Sequence, residues 1–155
     1  MLRITLAVIH LLALAIGSWA VIERARSAAA IATSRDAATR MLAADSLWGM
    51  AALLWIGTGV WRALAGTEKA SVYYWGNTAF MVKMALLALI LVLESWPIVK
   101  LVQWRIAAAR RAPLPVERQV AIGRRVAAIS RVEALLVVGM IVAAVMTARG
   151  FGTAG

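Results

Sequence analysis

The segment TAFMVKMALLALILVLESWPIV, residues 78–99, decides the fold. A helix that spans a bilayer needs roughly 20 mostly apolar residues, and this run meets that length with two charged side chains, Lys83 and Glu94. Three further runs have the same character: Ile4–Ile22, Ser46–Leu64 and Val132–Ala148. Lipid offers no partner to open backbone groups, so helices are predicted rather than strands. We therefore predict an all-α integral membrane protein, a four-transmembrane-helix bundle that forms one domain over residues 1–155.

Composition supports this class and removes several kinds of chemistry. The chain has 155 residues, of which 63% are hydrophobic and 15% are charged, whereas a soluble domain is about half apolar and about a quarter charged. The absence of cysteine excludes disulfides and thiolate-bound metals, and the single histidine excludes a site with two histidines from one chain. No nucleophile–base pair is visible, so hydrolase chemistry is not expected. Whether the protein is an enzyme stays open.

The distribution of positive charge predicts the orientation. Arginine and lysine are concentrated between the first and second helices and between the third and fourth, whereas the opposite side carries few. Loops rich in these residues stay in the cytoplasm, so both termini are predicted on the periplasmic side of a bacterial inner membrane. The net charge of +10 is then mostly a topology signal. The lipid bilayer is the expected partner, and nucleic acid is not.

The sequence also predicts the structure of the segments that connect the helices. The segment Glu23–Ala44 lacks glycine and proline, and we expect it to extend the first helix and then return through a short interfacial helix. Pro97 should kink or end the third helix, whereas Pro115 should begin a new helical run that leads into the fourth. The tail Gly150–Gly155 is expected to fray.

Two polar residues lie within the predicted spans near the outer side. His10 and Lys83 each lie roughly 8–9 Å below the outer boundary, at 1.5 Å per helical residue, and Thr58 lies near the same depth. Imidazole is a common haem ligand, Lys83 would then pair with an anion, and Met84 is a possible second ligand. In the structural alternative, His10 hydrogen-bonds between helices and Lys83 extends to the interface.

A second polar layer is predicted at the cytoplasmic ends of the helices. Glu23, Asp45, Glu94 and Glu133 lie there, with Arg24, Arg40 and Arg131 close in sequence. The structural interpretation is a ring of ion pairs and helix caps, in which Asp45 caps the second helix. The functional alternative is a proton relay through Glu94 and Glu133, with Glu94 the more buried of the two.

Two pairs of small residues and one tryptophan each allow two interpretations, one structural and one functional. Ala13 with Gly17, and Gly139 with Ala143, are small-xxx-small pairs that either seat helices inside the bundle or form a dimer face, and we favour the first. Trp55 lies in mid-membrane, where it either packs in the core or stacks on a flat ligand.

Several motifs in order resemble the bacterial membrane family DUF2214 over roughly residues 4 to 148. They are Ile9-His10-Leu11-Leu12-Ala13, Trp48-Gly49, Leu54-Trp55-Ile56, Thr58-Gly59, Trp61-Arg62, Gly66-Thr67-Glu68-Lys69, Tyr73-Tyr74, Asn77, Phe80, Lys83-Met84 and Glu94-Ser95-Trp96-Pro97. The family has no established activity, so the resemblance implies fold and topology more than function.

A more distant similarity is to CopD-like membrane proteins and HemJ-type protoporphyrinogen oxidases, which carry a histidine in the first helix and a lysine in the third. That resemblance implies haem b, with His10 as axial metal ligand and Lys83 as charge partner, and it matches Arg62 to the basic end of the second helix. HemJ-type sequences usually carry another histidine just before the lysine, where this chain has Thr78–Val82. Bis-histidine ligation is therefore not implied.

The leading hypothesis is a tetrapyrrole-binding redox or electron-transfer protein that uses His10 and Lys83. The first alternative is a non-catalytic accessory subunit of a larger membrane complex, or a homo-oligomer. The second is a small-solute or proton transporter, which would need a hydrated path from Lys83 to Glu94.

Overall fold

A computed structural model describes residues 1–65 and 74–152. Within these ranges the chain forms four long helices: α1, Leu2–Ala29; α2, Ala37–Leu64; α3, Thr78–Ala109; and α4, Val116–Ala148. Each helix is long and apolar enough to cross a membrane, and large apolar side chains cover its outward faces. The predicted all-α, four-helix membrane architecture is therefore confirmed.

Consecutive helices run in opposite directions, so the bundle has two distinct ends. We call the end that holds both chain termini the terminal end, and the end that holds the α1–α2 and α3–α4 connections the loop end. Helix α1 packs against α2 and α4, and α4 packs against α3. At the loop end α2 and α3 meet through side chains, where Arg105 donates a hydrogen bond to the carbonyl of Leu42 over 2.8 Å.

The α1–α2 connection is shorter than predicted. Helix α1 continues to Ala29 and α2 already begins at Ala37, so the expected short interfacial helix is instead the first part of α2. Alanine and arginine are good helix formers, and nothing in the intervening sequence ends a helix early. Ala28 and Ala37 are buried, which fixes both helix ends against the bundle.

The two proline predictions have different outcomes. Pro97 does not end α3, because it lies inside that helix, which continues to Ala109. A kink at Pro97 stays a prediction. A proline within a helix costs about 3 kcal/mol, but burial of Leu101 and Trp104 beyond it favours continuation. The prediction for Pro115 is confirmed, since α4 begins directly after it.

Two apolar clusters fill the interior. One occupies the middle of the bundle and is called here the apolar layer; it comprises Ala13, Ala20, Val21, Trp48, Trp55, Ile90, Val137 and Met140. The other lies at the loop end and comprises Ala28, Met41, Leu101, Trp104, Ile122, Val126 and Ala127. Polar side chains lie on both sides of the apolar layer, and they form the two sites described below.

Both small-residue pairs face the inside of the bundle. A Cβ atom added at Gly17 would lie 3.3 Å from Ala51 Cβ on α2, and one added at Gly139 would lie 3.3 Å from Leu86 Cδ1 on α3. Their partners Ala13 and Ala143 are buried. The preferred interpretation, close helix packing within the bundle, is therefore confirmed over a dimer face.

The first part of the C-terminal tail is held in place, which corrects the prediction of a frayed tail. Asn77 accepts a hydrogen bond from the Phe80 N–H at the start of α3 and donates one to the carbonyl of Phe151, each over 3.0 Å. The Thr78 N–H donates to the carbonyl of Gly152 over 2.9 Å. Gly152 has a φ of +85°, a conformation that glycine adopts without strain. The remaining tail lies outside the described residues.

Candidate functional sites at the two ends of the bundle

At the terminal end, a hydrogen-bonded chain links α1 to α2 through His10. The indole Nε1–H of Trp55 donates to His10 Nε2 over 3.0 Å, and His10 Nδ1 lies 2.9 Å from the hydroxyl oxygen of Thr58. That hydroxyl in turn donates to the carbonyl of Leu54 over 2.6 Å. His10 and Trp55 are both buried. The structural alternative for His10, a hydrogen bond between helices, is thus what the geometry shows.

These contacts assign the histidine tautomer. An indole N–H is only a donor, so His10 Nε2 must be the acceptor and carry no proton. The proton is then on Nδ1, which donates to Thr58 while the Thr58 hydroxyl donates to the backbone. Both ring nitrogens of a neutral imidazole are therefore engaged by protein groups.

A cavity with two lobes opens beside His10. The larger lobe has a volume of about 460 Å³ and extends between α1 and α4, toward Leu11 and Ile141. The smaller has a volume of about 280 Å³ and extends between α2 and α3, toward Val60 and Leu87. Residues common to both lobes are His10, Trp55, Gly59, Ala63, Phe80, Lys83 and Met140. We call the two lobes together the terminal cavity, and its size is typical of small-molecule sites.

The walls of the terminal cavity are mostly apolar, and their charge is positive. Lys83 lines both lobes and Arg62 lines the larger one. No aspartate or glutamate is present among the described residues that line either lobe. Arg62 is close enough to Lys83 for the two positive charges to interact. A negative group entering the cavity would therefore be attracted to this wall.

The structure thus brings together every residue predicted for the outer site. His10, Lys83 and Arg62 line the larger lobe, Met84 lines the smaller one, and Thr58 joins through its contact with His10. His10 and Lys83 face one cavity at the same level of the bundle. Their roles toward a ligand stay predictions, and so does the role of Met84 as a second metal ligand.

The loop end holds a buried ion cluster, called here the Arg24 cluster. The Arg24 side chain is fully buried and lies at its centre. It donates to Asp45 over 2.8 Å, to both carboxyl oxygens of Glu94 over 2.6 and 2.7 Å, and to Glu133 Oε2 over 2.6 Å. Its Nε–H donates to the hydroxyl of Ser130 over 2.9 Å. One guanidinium on α1 therefore binds side chains from α2, α3 and α4.

Arg105 extends this cluster at its edge. Its guanidinium lies 2.8 Å from Asp45 Oδ2 and also donates to Ser46 over 3.0 Å. Asp45 is thereby held between a buried arginine on α1 and a partly exposed arginine on α3. The predicted ion pairs exist in part: Arg24 is their hub, but the second arginine is Arg105, and the predicted Arg40 and Arg131 are exposed outside the cluster.

Three details of the predicted inner layer need correction. Asp45 does not cap α2, because that helix begins at Ala37 and Asp45 lies inside it. Glu94 is not the more buried relay candidate, since its side chain is 12% exposed while that of Glu133 is 0% exposed. Glu23 is outside the Arg24 cluster and accepts a hydrogen bond from Ser27 instead.

Ser130 and Arg105 belong to the cluster but were not among the residues predicted for the inner layer. Ser130 precedes Glu133 by three positions, a spacing that places both on one helix face and was available in the sequence. Arg105 lies far beyond the predicted end of the third helix, so its contact with Asp45 depended on Pro97 being tolerated.

The apolar layer separates the two sites. At 1.5 Å per residue, about 21 Å of helix lie between His10 and Arg24. Ala13, Ala20 and Val21 of α1 are buried along that interval. The hydrated path from Lys83 to Glu94 that a transporter would need is therefore filled by packed side chains in this conformation.

The hydrogen bonds of His10 bear on the predicted haem ligation, which needs only one axial histidine. His10 Nε2, the ring atom that would bind iron, already accepts the indole proton of Trp55. Axial ligation of iron by His10 would therefore require this hydrogen bond to break.

Fold and sites define a multi-pass membrane protein with a ligand-sized cavity at the terminal end and a buried ion cluster at the loop end. Residues 2–152 match the family described as "Predicted membrane protein (DUF2214)", and the chain belongs to that family. No curated protein and no solved structure matches the chain. Two of the motifs that carry the resemblance, Gly66–Lys69 and Tyr73, lie outside the described residues.

Proposed function

We propose that this membrane protein binds a small amphipathic molecule in the terminal cavity, with the anionic group of the ligand beside Lys83. The observation that carries the proposal is a cavity of about 460 Å³ whose described walls are apolar except for His10, Thr147, Tyr74 and two cationic side chains. Apolar walls with a few convergent polar groups are the usual composition of a ligand site.

Charge supports an anion in particular. A cationic side chain within a membrane is costly unless a negative partner or water accompanies it. Lys83 lines both lobes of the cavity, and Arg62 adds a second positive charge to the same wall. A carboxylate or phosphate there would accept charge-assisted hydrogen bonds, which are about twice as strong as neutral ones.

The smaller lobe supports an apolar body and a route from the bilayer. It lies between α2 and α3, where Val60, Leu64 and Trp75 line it and are themselves exposed on the lipid-facing surface. Because α2 and α3 make their polar contacts at the loop end, their terminal ends leave this lobe between them. A ligand dissolved in the bilayer would enter sideways through this gap.

A tetrapyrrole is the specific ligand we propose to test first, because it combines a flat apolar ring with propionates. The proposed contacts are the propionates with Lys83 and Arg62, and the ring with Trp55 and Phe80. Haem b with His10 as axial ligand, and with redox activity, is the second candidate. It requires the hydrogen bond between Trp55 and His10 to break.

A titration with three porphyrins tests both candidates. Protoporphyrin IX carries the propionates without a metal, its dimethyl ester lacks their charge, and haem b adds iron. Charge recognition predicts that the purified protein binds protoporphyrin IX and haem b with similar affinity, as measured by quenching of its tryptophan fluorescence. It should bind the ester at least 10-fold more weakly. Equal binding of the ester and the free acid would contradict the proposal.

Trp55→Phe separates the two candidates further. This change removes the indole proton that occupies His10 Nε2 while keeping an aromatic ring in the cavity. If His10 ligates iron, haem b should bind the variant more tightly and its Soret band should shift, and His10→Ala should abolish that shift. Binding that is unchanged by Trp55→Phe would support charge recognition without axial ligation.

The orientation and location follow as part of the proposal. With both termini in the periplasm of a bacterial inner membrane, the terminal cavity would face the periplasmic leaflet. Because the chain has no cysteine, single cysteines give an unambiguous test. A membrane-impermeant maleimide should label Phe151→Cys in intact spheroplasts and should label Thr33→Cys, in the α1–α2 connection, only after lysis. The reverse pattern would overturn the orientation.

The other predicted functions are less well supported by the geometry. Transport between the two ends would require the apolar layer to open. An accessory role in a larger complex would be supported by small-residue faces that contact a partner, but the two small-residue pairs pack helices within the bundle. Partner proteins and homo-oligomers stay predictions.

A further inference from the structure

The Arg24 cluster contains more carboxyl groups than guanidinium groups. Asp45, Glu94 and Glu133 face Arg24 from three helices, and Arg105 adds a second positive charge through Asp45. With every group ionised, two positive charges meet three negative ones. An uncompensated negative charge among lipid-spanning helices is costly, so this charge state is unfavourable.

The hydrogen bonds of the cluster identify where the imbalance lies. A guanidinium has five N–H donors, and Arg24 uses all of them on Ser130, Asp45, Glu94 and Glu133. The Oε1 atom of Glu133 is nevertheless buried without a partner, although this side chain is 0% exposed. An ionised carboxylate oxygen in that position lacks a donor, and an unsatisfied charged group is expensive to bury.

The neighbouring carboxyl group offers a solution. Glu94 and Glu133 accept hydrogen bonds from the same guanidinium nitrogen, Arg24 Nη2, over 2.7 and 2.6 Å, which brings the two carboxyl groups close together. Two carboxylates cannot hydrogen-bond to each other unless one of them carries a proton. A single proton would provide the missing donor and also bring the cluster to zero net charge.

We propose that the Arg24 cluster is a proton-binding site in which Glu133 and Glu94 share one proton. The remaining facing groups, Asp45 and Arg105, stay ionised as a pair, and Ser130 accepts from Arg24. Glu94, with its side chain 12% exposed, is the member through which the proton exchanges, and Glu133 is sealed inside. The site is independent of ligand binding at the terminal cavity, because the apolar layer lies between them.

Infrared spectroscopy of the purified protein at neutral pH tests this directly. A protonated carboxyl group gives a C=O stretching band separate from those of carboxylates, and that band shifts to lower frequency in D₂O. We expect the band in the wild-type protein and its loss in Glu133→Gln, since the cluster then balances without a proton. Glu94→Gln should also remove it.

Glu23→Gln is the matched control. Glu23 is adjacent to Arg24 on α1 but bonds to Ser27 and not to the cluster. The same substitution there should leave the band unchanged. A wild-type protein without a protonated carboxyl band, or a band that survives both Glu133→Gln and Glu94→Gln, would overturn the proposal.

Thermal stability gives a second, independent measurement. The amide of Glu133→Gln can accept from Arg24 and donate to Glu94, as a protonated Glu133 would. We expect this variant to be at least as stable as the wild type. The wild type should lose stability as the pH rises above the range in which ordinary carboxyl groups titrate, because the folded cluster then holds a proton that the unfolded chain has released. Glu133→Gln should lack this loss. Failure of Glu133→Gln to fold would contradict the proposal.

Discussion

The two ends of the bundle handle buried polar groups in different ways. At the loop end, Arg24 donates all of its N–H groups to neighbouring side chains. Arg24 lines neither lobe of the terminal cavity. At the terminal end, Lys83 lines a cavity whose described walls carry no carboxylate. The polar groups of the Arg24 cluster therefore bind mainly one another, whereas those of the terminal end line a cavity, where we propose that a ligand binds.

This difference separates stability from binding. Polar groups that satisfy one another across four helices fix the helices in place, so changes there should affect folding first. A half-buried cation beside a cavity adds little to packing, so changes there should affect ligand binding first. The comparison predicts opposite outcomes for similar substitutions at the two ends.

The largest expected effect is that of Arg24→Leu. It leaves three carboxyl groups without their common donor, and breaking a buried ion network by removing one partner costs about 3–5 kcal/mol. We expect the variant to aggregate on size-exclusion chromatography in detergent or to denature at a much lower temperature. Arg26→Leu, an exposed position on the same helix, is the control and should behave as the wild type. A stable, monodisperse Arg24→Leu protein would mean that the cluster does not hold the loop end together.

A smaller effect is expected for Thr58→Val at the terminal end. Valine keeps the shape but removes the hydroxyl that lies 2.9 Å from His10 Nδ1, so the imidazole proton loses its acceptor. An unsatisfied buried donor costs about 1–3 kcal/mol. Thermal denaturation should show this loss, whereas Ser95→Ala, which removes an exposed hydroxyl bound to its own helix, should change stability by less than about 0.5 kcal/mol. Equal stability of the two variants would show that Thr58 does not support His10.

The smallest effect compares two glycines of α2. A Cβ at Gly59 would lie 3.1 Å from His10 Cε1, whereas a Cβ at Gly57 would meet nothing within 4 Å. Gly57→Ala should therefore stabilise the helix by about 0.5–1 kcal/mol. Gly59→Ala should instead destabilise the protein by about 1 kcal/mol, because the added methyl group displaces the imidazole of His10. The same displacement should weaken porphyrin binding. Identical behaviour of the two variants would show that His10 is free to move.

Sequence patterns predicted the helices well because membrane insertion is governed by length and hydropathy. The runs around Leu86 and Val137 are long and apolar enough to leave no alternative to a spanning helix. Helix ends were less predictable. Helix α3 continues beyond Pro97 because burial of Leu101 and Trp104 stabilises its last turns, and the sequence alone does not show this packing.

The sites show the same limit. Helical rise alone placed His10 and Lys83 at one level, and the structure has both on one cavity. The rotation of each helix about its axis, which determines that Trp55 donates to His10 and that Arg24 points inward, depends on the packing of all four helices. Charge in the sequence located the inner layer, but it could not choose Arg24 as the hub over Arg40 and Arg131.

The most direct test of ligand recognition at the terminal cavity is the affinity of Lys83→Met for protoporphyrin IX, measured beside Lys83→Arg and Lys100→Met. Loss of a charge-assisted hydrogen bond worth about 1.5–3 kcal/mol corresponds to about 10–100-fold weaker binding. We predict that weakening in Lys83→Met with no loss of thermal stability, and near-wild-type binding in Lys83→Arg and in the loop-end control Lys100→Met. Undiminished binding by a folded Lys83→Met protein would contradict the account.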